Sequence, residues 1–164
     1  MQEACLLTAS ITIPRILFEE LRRRAEESGL SIEVLLMDLI TQDLDPEDRA
    51  RKYITAAQEL VELAHEELRK GDLRQAAEKI WGAAVLAVKA YACAREGRRL
   101  ASHRELWEYK DRIAEELGDW VRSAWMYANS MHTCFYEGWC TEKDIATALE
   151  EVEKLVKAIS EVII

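Results

Sequence analysis

Residues 72–91 read DLRQAAEKIWGAAVLAVKAY, and this stretch decides the fold class. Its apolar residues recur with the three- and four-residue spacing of one face of a helix. Asp72 and Gln75 supply a capping-box-like start for that helix. Many of the apolar positions are alanine, whose small side chain lets neighbouring helices approach closely. The stretch therefore predicts a helix that is packed tightly among other helices.

Segments with the same helical period flank this stretch on both sides. Asp45-Pro46 opens one of them, because aspartate caps a helix and proline fits its first position. Three further helices begin near Ser102, Asp119 and Thr141. Four or five helices joined by short loops predict an antiparallel bundle over residues 46–164.

A shorter module, residues 1–45, precedes the bundle. Residues 10–14 alternate polar and apolar side chains, which is the period of a short half-buried strand. Two short helices follow, separated by Gly29 and with Ser31 as the cap of the second. The predicted fold class is therefore all-α: an antiparallel four- to five-helix bundle preceded by a short strand-helix-helix module. Because an unpaired strand has an open edge, we expect a homodimer.

Composition limits the classes of function. The chain has 164 residues, 49% of them hydrophobic and 32% charged, with a net charge of −9, which is typical of a folded soluble protein. Such a charge argues against a protein that coats duplex nucleic acid, since neutralising phosphates requires a basic face. The apolar stretches are too short to span a membrane, and residues 1–10 do not look like a signal peptide. We therefore expect a cytoplasmic protein with no membrane contact.

The cysteines and the single asparagine give two further expectations. Cys5, Cys93, Cys134 and Cys140 show no Cys-x-x-Cys spacing, so we expect buried free thiols, no metal site and no cofactor. Asn129 is the only asparagine, whereas glutamate and arginine are plentiful. This bias is typical of proteins from thermophiles.

Several segments of the bundle carry a family resemblance. They are GD at 71–72, AEKIWGAA at 77–84, SH at 102–103, MH at 131–132 and FYEGW at 135–139. On these residues, the stretch from Tyr53 to Ile159 resembles the archaeal PaREP family, which belongs with the HEPN helical bundles. The resemblance implies a helical fold, frequent homodimerisation and, in some relatives, metal-independent cleavage of RNA.

The resemblance also implies a catalytic signature, which this chain matches only in part. In those nucleases an arginine stands shortly before a histidine on the late helix. His132 matches the histidine, but the preceding positions hold Trp125, Met126 and Tyr127, so the arginine is missing. Its loss removes the positive charge that would stabilise the phosphorane. We therefore favour a non-catalytic protein and keep an RNA-cleaving HEPN-like nuclease using His132 as the alternative.

The N-terminal module resembles a ribbon-helix-helix unit, in which strands pair across a dimer and ribbon side chains read DNA. The reading residues here would be Ser10 and Thr12, which are uncharged. Residues 1–45 hold four arginines against nine acidic residues, an unfavourable field for DNA. The module is therefore interpreted as a dimerisation element, and duplex DNA is not expected as a partner.

Two sets of residues are candidate sites in the bundle. Asn129, His132 and Tyr136 share one face of the late helix, which predicts either a polar pocket for a nucleotide or phosphate, with these residues as catalytic candidates, or a core histidine satisfied by a neighbour. Glu78 and Trp81 are candidates for lining the same pocket, although a buried tryptophan is also ordinary core.

The second set is the basic cluster, whose members are Arg98, Arg99, His103 and Arg104. Guanidinium groups bind phosphate in two-point contacts, so the cluster predicts either an RNA or nucleotide site or a solvated turn with ion pairs. Together these features predict a non-catalytic interaction protein that forms a homodimer. Nucleotide or RNA is its candidate ligand, and a toxin-antitoxin-like pair is its candidate setting.

Overall fold

The computed structural model describes residues 8–163, in which seven α-helices and no strand are found. The helices are α1 (Arg15–Ser28), α2 (Ile32–Ile40), α3 (Pro46–Lys70), α4 (Leu73–Glu96), α5 (His103–Leu117), α6 (Trp120–Glu137) and α7 (Glu142–Ile163). The chain is all-α, but the predicted architecture is wrong. A strand-helix-helix module ahead of a four- to five-helix bundle does not describe these seven helices.

The predicted strand at residues 10–14 is an irregular segment that leads into α1. Its alternating pattern satisfies the period of a strand, but a strand also needs a partner for its backbone hydrogen bonds. None is present within residues 8–163, and the side chain of Ile11 is 85% exposed. Pro14 instead precedes the first helical residue, and its carbonyl accepts from the backbone N–H groups of Leu17 and Phe18.

α4 is the central helix, and it makes the close helix contacts that its alanines predict. Every residue from Ile80 to Cys93 is buried, because α2, α3, α5, α6 and α7 all pack against this helix. Small side chains make these close approaches possible. At Gly82 an added Cβ would lie 3.1 Å from both Leu60 Cδ1 and Ser31 Oγ, so α3 and the start of α2 converge on this glycine.

Most helix boundaries follow the predicted caps. Asp45 accepts from the backbone of Asp48 at 3.0 Å, and Ser102 and Glu105 form the reciprocal capping box predicted for α5. The predicted cap at Asp119 is wrong. Its backbone is already helical and its carboxylate forms an ion pair with Arg122 instead of capping α6.

A buried polar network fixes α2 to the rest of the helices. The ammonium of Lys89, on α4, donates to Asp38 Oδ2 at 2.9 Å and to the carbonyl of Leu100 at 2.6 Å. The hydroxyl of Tyr53, on α3, donates to the other oxygen of Asp38 at 2.7 Å. The side chain of Lys89 is only 3% exposed, so these partners replace nearly all of its water.

The cysteines differ from the sequence prediction. Cys134, near the end of α6, and Cys140, in the loop before α7, form a disulfide bond, so the prediction of free thiols is wrong for this pair. Cys93 is buried and free, as predicted. Cys5 lies outside the described residues. Two cysteines six positions apart can meet because Gly138 reverses the chain with a left-handed backbone.

The module boundary predicted at Asp45-Pro46 coincides with the first residue of α3. The division into modules 1–45 and 46–164 remains a prediction. Within residues 8–163, every helix is too short or too polar to cross a membrane.

Replacing Lys89 with alanine should destabilise the protein strongly, because Asp38 and the carbonyl of Leu100 would be left without their donor. We expect the free energy of unfolding, measured in guanidinium chloride, to fall by about 3 kcal/mol. Lys70→Ala is the matched control, since Lys70 is exposed and paired with Glu67 at 3.5 Å. The control should change stability by less than about 0.5 kcal/mol. Equal losses of unfolding free energy in the two variants would show that the buried network stabilises the protein no more than an exposed ion pair does.

Candidate functional site

Three tryptophans and two histidines meet where α4, α5 and α6 face each other. We call Trp81, His103, Trp107, Trp125 and His132 the aromatic cluster. The ring of His132 stacks on Trp81 with centroids 5.0 Å apart, and the ring centroids of Trp125 and Trp81 are 5.2 Å apart. The two imidazoles approach edge to face at 6.1 Å. The structure therefore joins candidates from both of the sets that the sequence kept apart.

Hydrogen bonds hold this cluster in place. Trp81 Nε1 donates to the carbonyl of Gly29 at 3.1 Å. Trp107 Nε1 donates a hydrogen bond of 2.8 Å to His103 Nε2. Gly29 has a left-handed backbone, with φ of 67°. A Cβ at this position would lie 2.9 Å from His103 Nδ1, so the cluster requires a residue without a side chain here. Trp81 is thus a core residue that ties the α1–α2 turn to α4.

Burial determines the protonation of the two histidines. It lowers the pKa of His103, and it lowers the pKa of His132 together with a smaller repulsion from His103. A lowered pKa means that both rings stay neutral at pH 7. A neutral ring can accept a hydrogen bond or stack on an indole, but it brings no positive charge for a phosphate.

The face of α6 predicted from the sequence is only partly assembled. Tyr136 contacts His132, with ring centroids 5.3 Å apart and the rings edge to face. Asn129 is half-buried, and the described contacts include no hydrogen bond from its side-chain amide. The structure therefore brings His132 and Tyr136 together and leaves Asn129 beside them without a defined role.

A cleft of about 790 Å³ opens beside Tyr136. α1, the start of α2, the start of α4 and the end of α6 bound this cleft, which we call the α1–α4–α6 cleft. Its lining includes Phe18, Glu33, Glu78, Phe135 and Tyr136. Glu78 was predicted as a pocket residue, and the structure places it in this lining. Trp81 is not in the lining, because it is buried beneath His132.

Glu78 is the most perturbed acid of the cleft. Burial raises its pKa to about 7, and repulsion from Glu33 adds to the shift, while Lys79 opposes it. Glu33 is itself paired with Lys79 across α2 and α4. Burial also raises the pKa of the Tyr136 hydroxyl, to which Glu78 and Glu26 contribute.

The arginines of the basic cluster point to local partners. Arg98 pairs with Glu105 at 3.6 Å, and Arg104 pairs with Glu108 at 2.8 Å. Arg99 donates to the backbone carbonyl of Asp38 at 3.2 Å. Only His103 turns inward, to the aromatic cluster. The four residues that the sequence grouped together therefore lie in two different environments.

Sequence reasoning missed Trp107 and Trp125 as neighbours of the histidines. One signal was present, since Trp107 follows His103 by one helical turn and lies on the same face. The contact of α6 with α4 and α5 had no such local signal. Within residues 8–163, no group of three or more histidine, cysteine or acidic side chains is placed to hold a metal ion.

The fold and the site define a class: an α-helical protein in which a central buried helix carries an aromatic–histidine cluster beside an open cleft. The chain belongs to the archaeal PaREP1/PaREP8 family, whose sequence profile matches residues 52–156. It is similar to a Sulfolobus solfataricus protein of known crystal structure, with 28% identity and a TM-score of 0.58. That similarity covers 65% of this chain and 94% of the other. No curated protein matches the sequence.

The raised pKa of Glu78 predicts a pH-dependent stability. A carboxyl whose pKa rises from 4.5 to about 7 on folding binds its proton more tightly in the folded state. Its effect is therefore a loss of stability as pH rises through that interval. Glu78→Gln removes the loss, and we expect this variant to gain on the order of 1 kcal/mol over wild type at about pH 8, after allowance for solvent screening.

At about pH 4, where the carboxyl is protonated in both states, the same variant should match wild type. Chemical denaturation at the two pH values measures the difference. The exposed Glu150 on α7 provides the control, Glu150→Gln, which should show no pH-dependent gain. An equal stability difference between Glu78→Gln and wild type at both pH values would contradict the assignment.

Proposed function

We propose that this protein is a non-catalytic interaction protein that forms a homodimer through residues 11–40. One observation carries the proposal: large apolar side chains are exposed in this segment to an unusual degree. They are Ile11, Ile16, Leu17, Phe18, Leu36, Leu39 and Ile40. The rest of the described residues expose far fewer large apolar side chains, namely Met126, Tyr127, Tyr136 and Trp139.

The packing of α1 explains why these side chains are uncovered. α1 contacts chiefly α2, whereas α2 also contacts α4. Only Ala25 of α1 is fully buried, so most of its apolar face meets no other helix of the described chain. Exposed apolar surface of this kind is typical of an interaction site, and a second copy is the commonest partner for such a surface. The support for a dimer thus comes from helix faces and not from the strand that the sequence predicted.

A second candidate function is metal-independent cleavage of RNA, as the HEPN-like interpretation implies. The observation that favours it is the 6.1 Å approach of His103 and His132, since two imidazoles can serve as base and acid in phosphodiester cleavage. The environment of His103 argues against this role. Its Nε2 accepts a hydrogen bond from Trp107, so that nitrogen is already engaged, and its Nδ1 lies close to Gly29.

A nucleotide or RNA ligand would also need cations that are free to bind phosphate. Arg98 and Arg104 are paired with Glu105 and Glu108, so a phosphate would have to displace these carboxylates. His132 is neutral at pH 7 for the reasons given above. Binding of RNA through the basic cluster would therefore be weak and would fall steeply with salt.

The dimer is tested by placing charge on its proposed surface. Ile16 and Ile40 are 78% and 68% exposed, so Ile16→Glu/Ile40→Glu should leave the fold intact in circular dichroism. We expect wild type to sediment as a dimer at about 10 μM and the double variant as a monomer, because two buried carboxylates would oppose association. Met126→Glu, at a residue that is 56% exposed on α6, is the control and should remain dimeric. A monomeric wild type at 100-fold higher concentration would overturn the proposal.

The catalytic alternative is tested with a labelled single-stranded RNA in the presence of EDTA. We expect no cleavage by the wild-type protein, because α6 lacks the arginine and His103 is occupied by its neighbours. His132→Ala is the matched variant for any activity that is seen. Cleavage by wild type that disappears in His132→Ala would establish the nuclease and refute the non-catalytic assignment.

A further inference from the structure

The α1–α4–α6 cleft contains a carboxylate that has no partner among the described residues. Glu78 is half-buried at the cleft wall, and the described residues give its side chain neither an ion pair nor a hydrogen bond. A carboxylate withdrawn from water without a partner costs free energy. The raised pKa of Glu78 reflects this cost, and a cation that entered the cleft from solvent would offset it.

The other charged groups of the cleft are already engaged. Glu33 pairs with Lys79, and Arg22 lies 3.8 Å from Glu26. Arg74 stands one turn before Glu78 on α4 and could in principle pair with it. Its guanidinium is instead held at the end of α6, where it donates to the carbonyl of Tyr136 at 2.8 Å.

Aromatic rings form the apolar part of the same cleft. Phe135 and Tyr136 lie edge to face with centroids 5.0 Å apart at the end of α6, and Phe18 faces the cleft from α1. The face of an aromatic ring attracts a cation, and the ring also packs against the hydrocarbon part of a ligand. A carboxylate beside such rings is a combination that suits an organic ammonium ion.

We propose that the α1–α4–α6 cleft binds a small organic ammonium ion, with its charged group on Glu78 and its hydrocarbon part against Phe135 and Tyr136. The cavity of about 790 Å³ lies within the usual range for small-molecule sites. An anion is disfavoured, because the lining contains four carboxylates and only two guanidinium groups, both of which have partners. This inference goes beyond the proposed dimer. Phe18 belongs to both surfaces, but Glu78, Phe135 and Tyr136, which would hold the ligand, lie outside residues 11–40.

The protonation of Glu78 gives the site a pH dependence. An ammonium ion binds the carboxylate and not the carboxylic acid, so affinity should rise as pH increases through about 7, and binding near that pH should release a proton. The charged and titratable groups around the cleft are Arg22, Glu26, Glu33, Asp72, Arg74, Lys79, His132 and Tyr136. Burial lowers the pKa of His132 from its ordinary 6.5, so its ring is mostly neutral at pH 7 and above. The Glu78→Gln variant separates any protonation of His132 at the acid end of the test from that of Glu78.

The experiment compares two probes of one shape. 2-Phenylethylamine carries the ammonium group and an aromatic hydrocarbon part, and 2-phenylethanol replaces the ammonium with a neutral hydroxyl. We expect isothermal titration calorimetry at about pH 8 to show amine binding and at least about tenfold weaker binding of the alcohol. Amine affinity should fall about tenfold as pH is lowered from 8 to 6, because Glu78 becomes protonated.

Variants separate this site from unspecific binding. Glu78→Gln keeps the shape but removes the charge, and it should weaken amine binding about tenfold and abolish the pH dependence. Glu150→Gln, far along the chain on α7, should bind as wild type does. Ile16 and Ile40 do not line the cleft, so Ile16→Glu/Ile40→Glu should bind the amine as wild type does. Failure of the dimer and failure of the cleft would therefore be recognised separately.

Two results would overturn the proposal. One is equal affinity of the amine for wild type and Glu78→Gln. The other is the absence of amine binding at about pH 8, judged both by calorimetry and by the ¹³C shift of the Glu78 carboxylate at millimolar amine. Because Glu78→Gln is expected to be at least as stable as wild type, loss of binding in this variant would not reflect unfolding.

Discussion

The burial of α4 on all sides is the constraint on which the rest of the structure depends. A helix without a polar face can be stable only if other helices cover it completely. Five helices do so here, and the small residues of α4 set how closely they approach. Gly82 shows the limit, since a single added carbon would meet side chains from two directions. The positions of the aromatic cluster and of the cleft follow from this arrangement.

Lys89 is the one basic residue in the buried part of α4, and its hydrogen bonds fix the orientation of α2. Apolar burial alone is nonspecific, because many orientations of α2 could cover the same surface. The bonds from Lys89 to Asp38 and to the carbonyl of Leu100 accept only one of them. α2 is thereby held where the α1–α2 turn meets Trp81, through the carbonyl of Gly29.

The aromatic cluster and the cleft are neighbours with different roles. The cluster is closed by its own hydrogen bonds and stacking, with His103 committed to Trp107 and His132 to Trp81. The cleft is open, and the described residues leave the carboxylate of Glu78 unpaired in it. Tyr136 contacts His132 on one side and lines the cleft on the other, so it connects the two. This contrast explains why we assign structural stability to the histidines and ligand binding to the cleft.

The sequence by itself determined the features that depend on neighbouring residues. The helical period of α4, the capping box of Ser102 and Glu105, and the family of the chain could all be read from it, because each rests on local patterns. A local pattern also gave a wrong prediction at residues 10–14. The alternation there is that of a strand, but a strand also needs a partner strand, which a local pattern cannot supply. Only the tertiary structure decided that the ring of His103 packs near His132, away from its arginine neighbours, and that Glu78 faces a cleft with no partner among the described residues. Both depend on contacts between helices far apart in the chain, and the packing of α4 fixes those contacts.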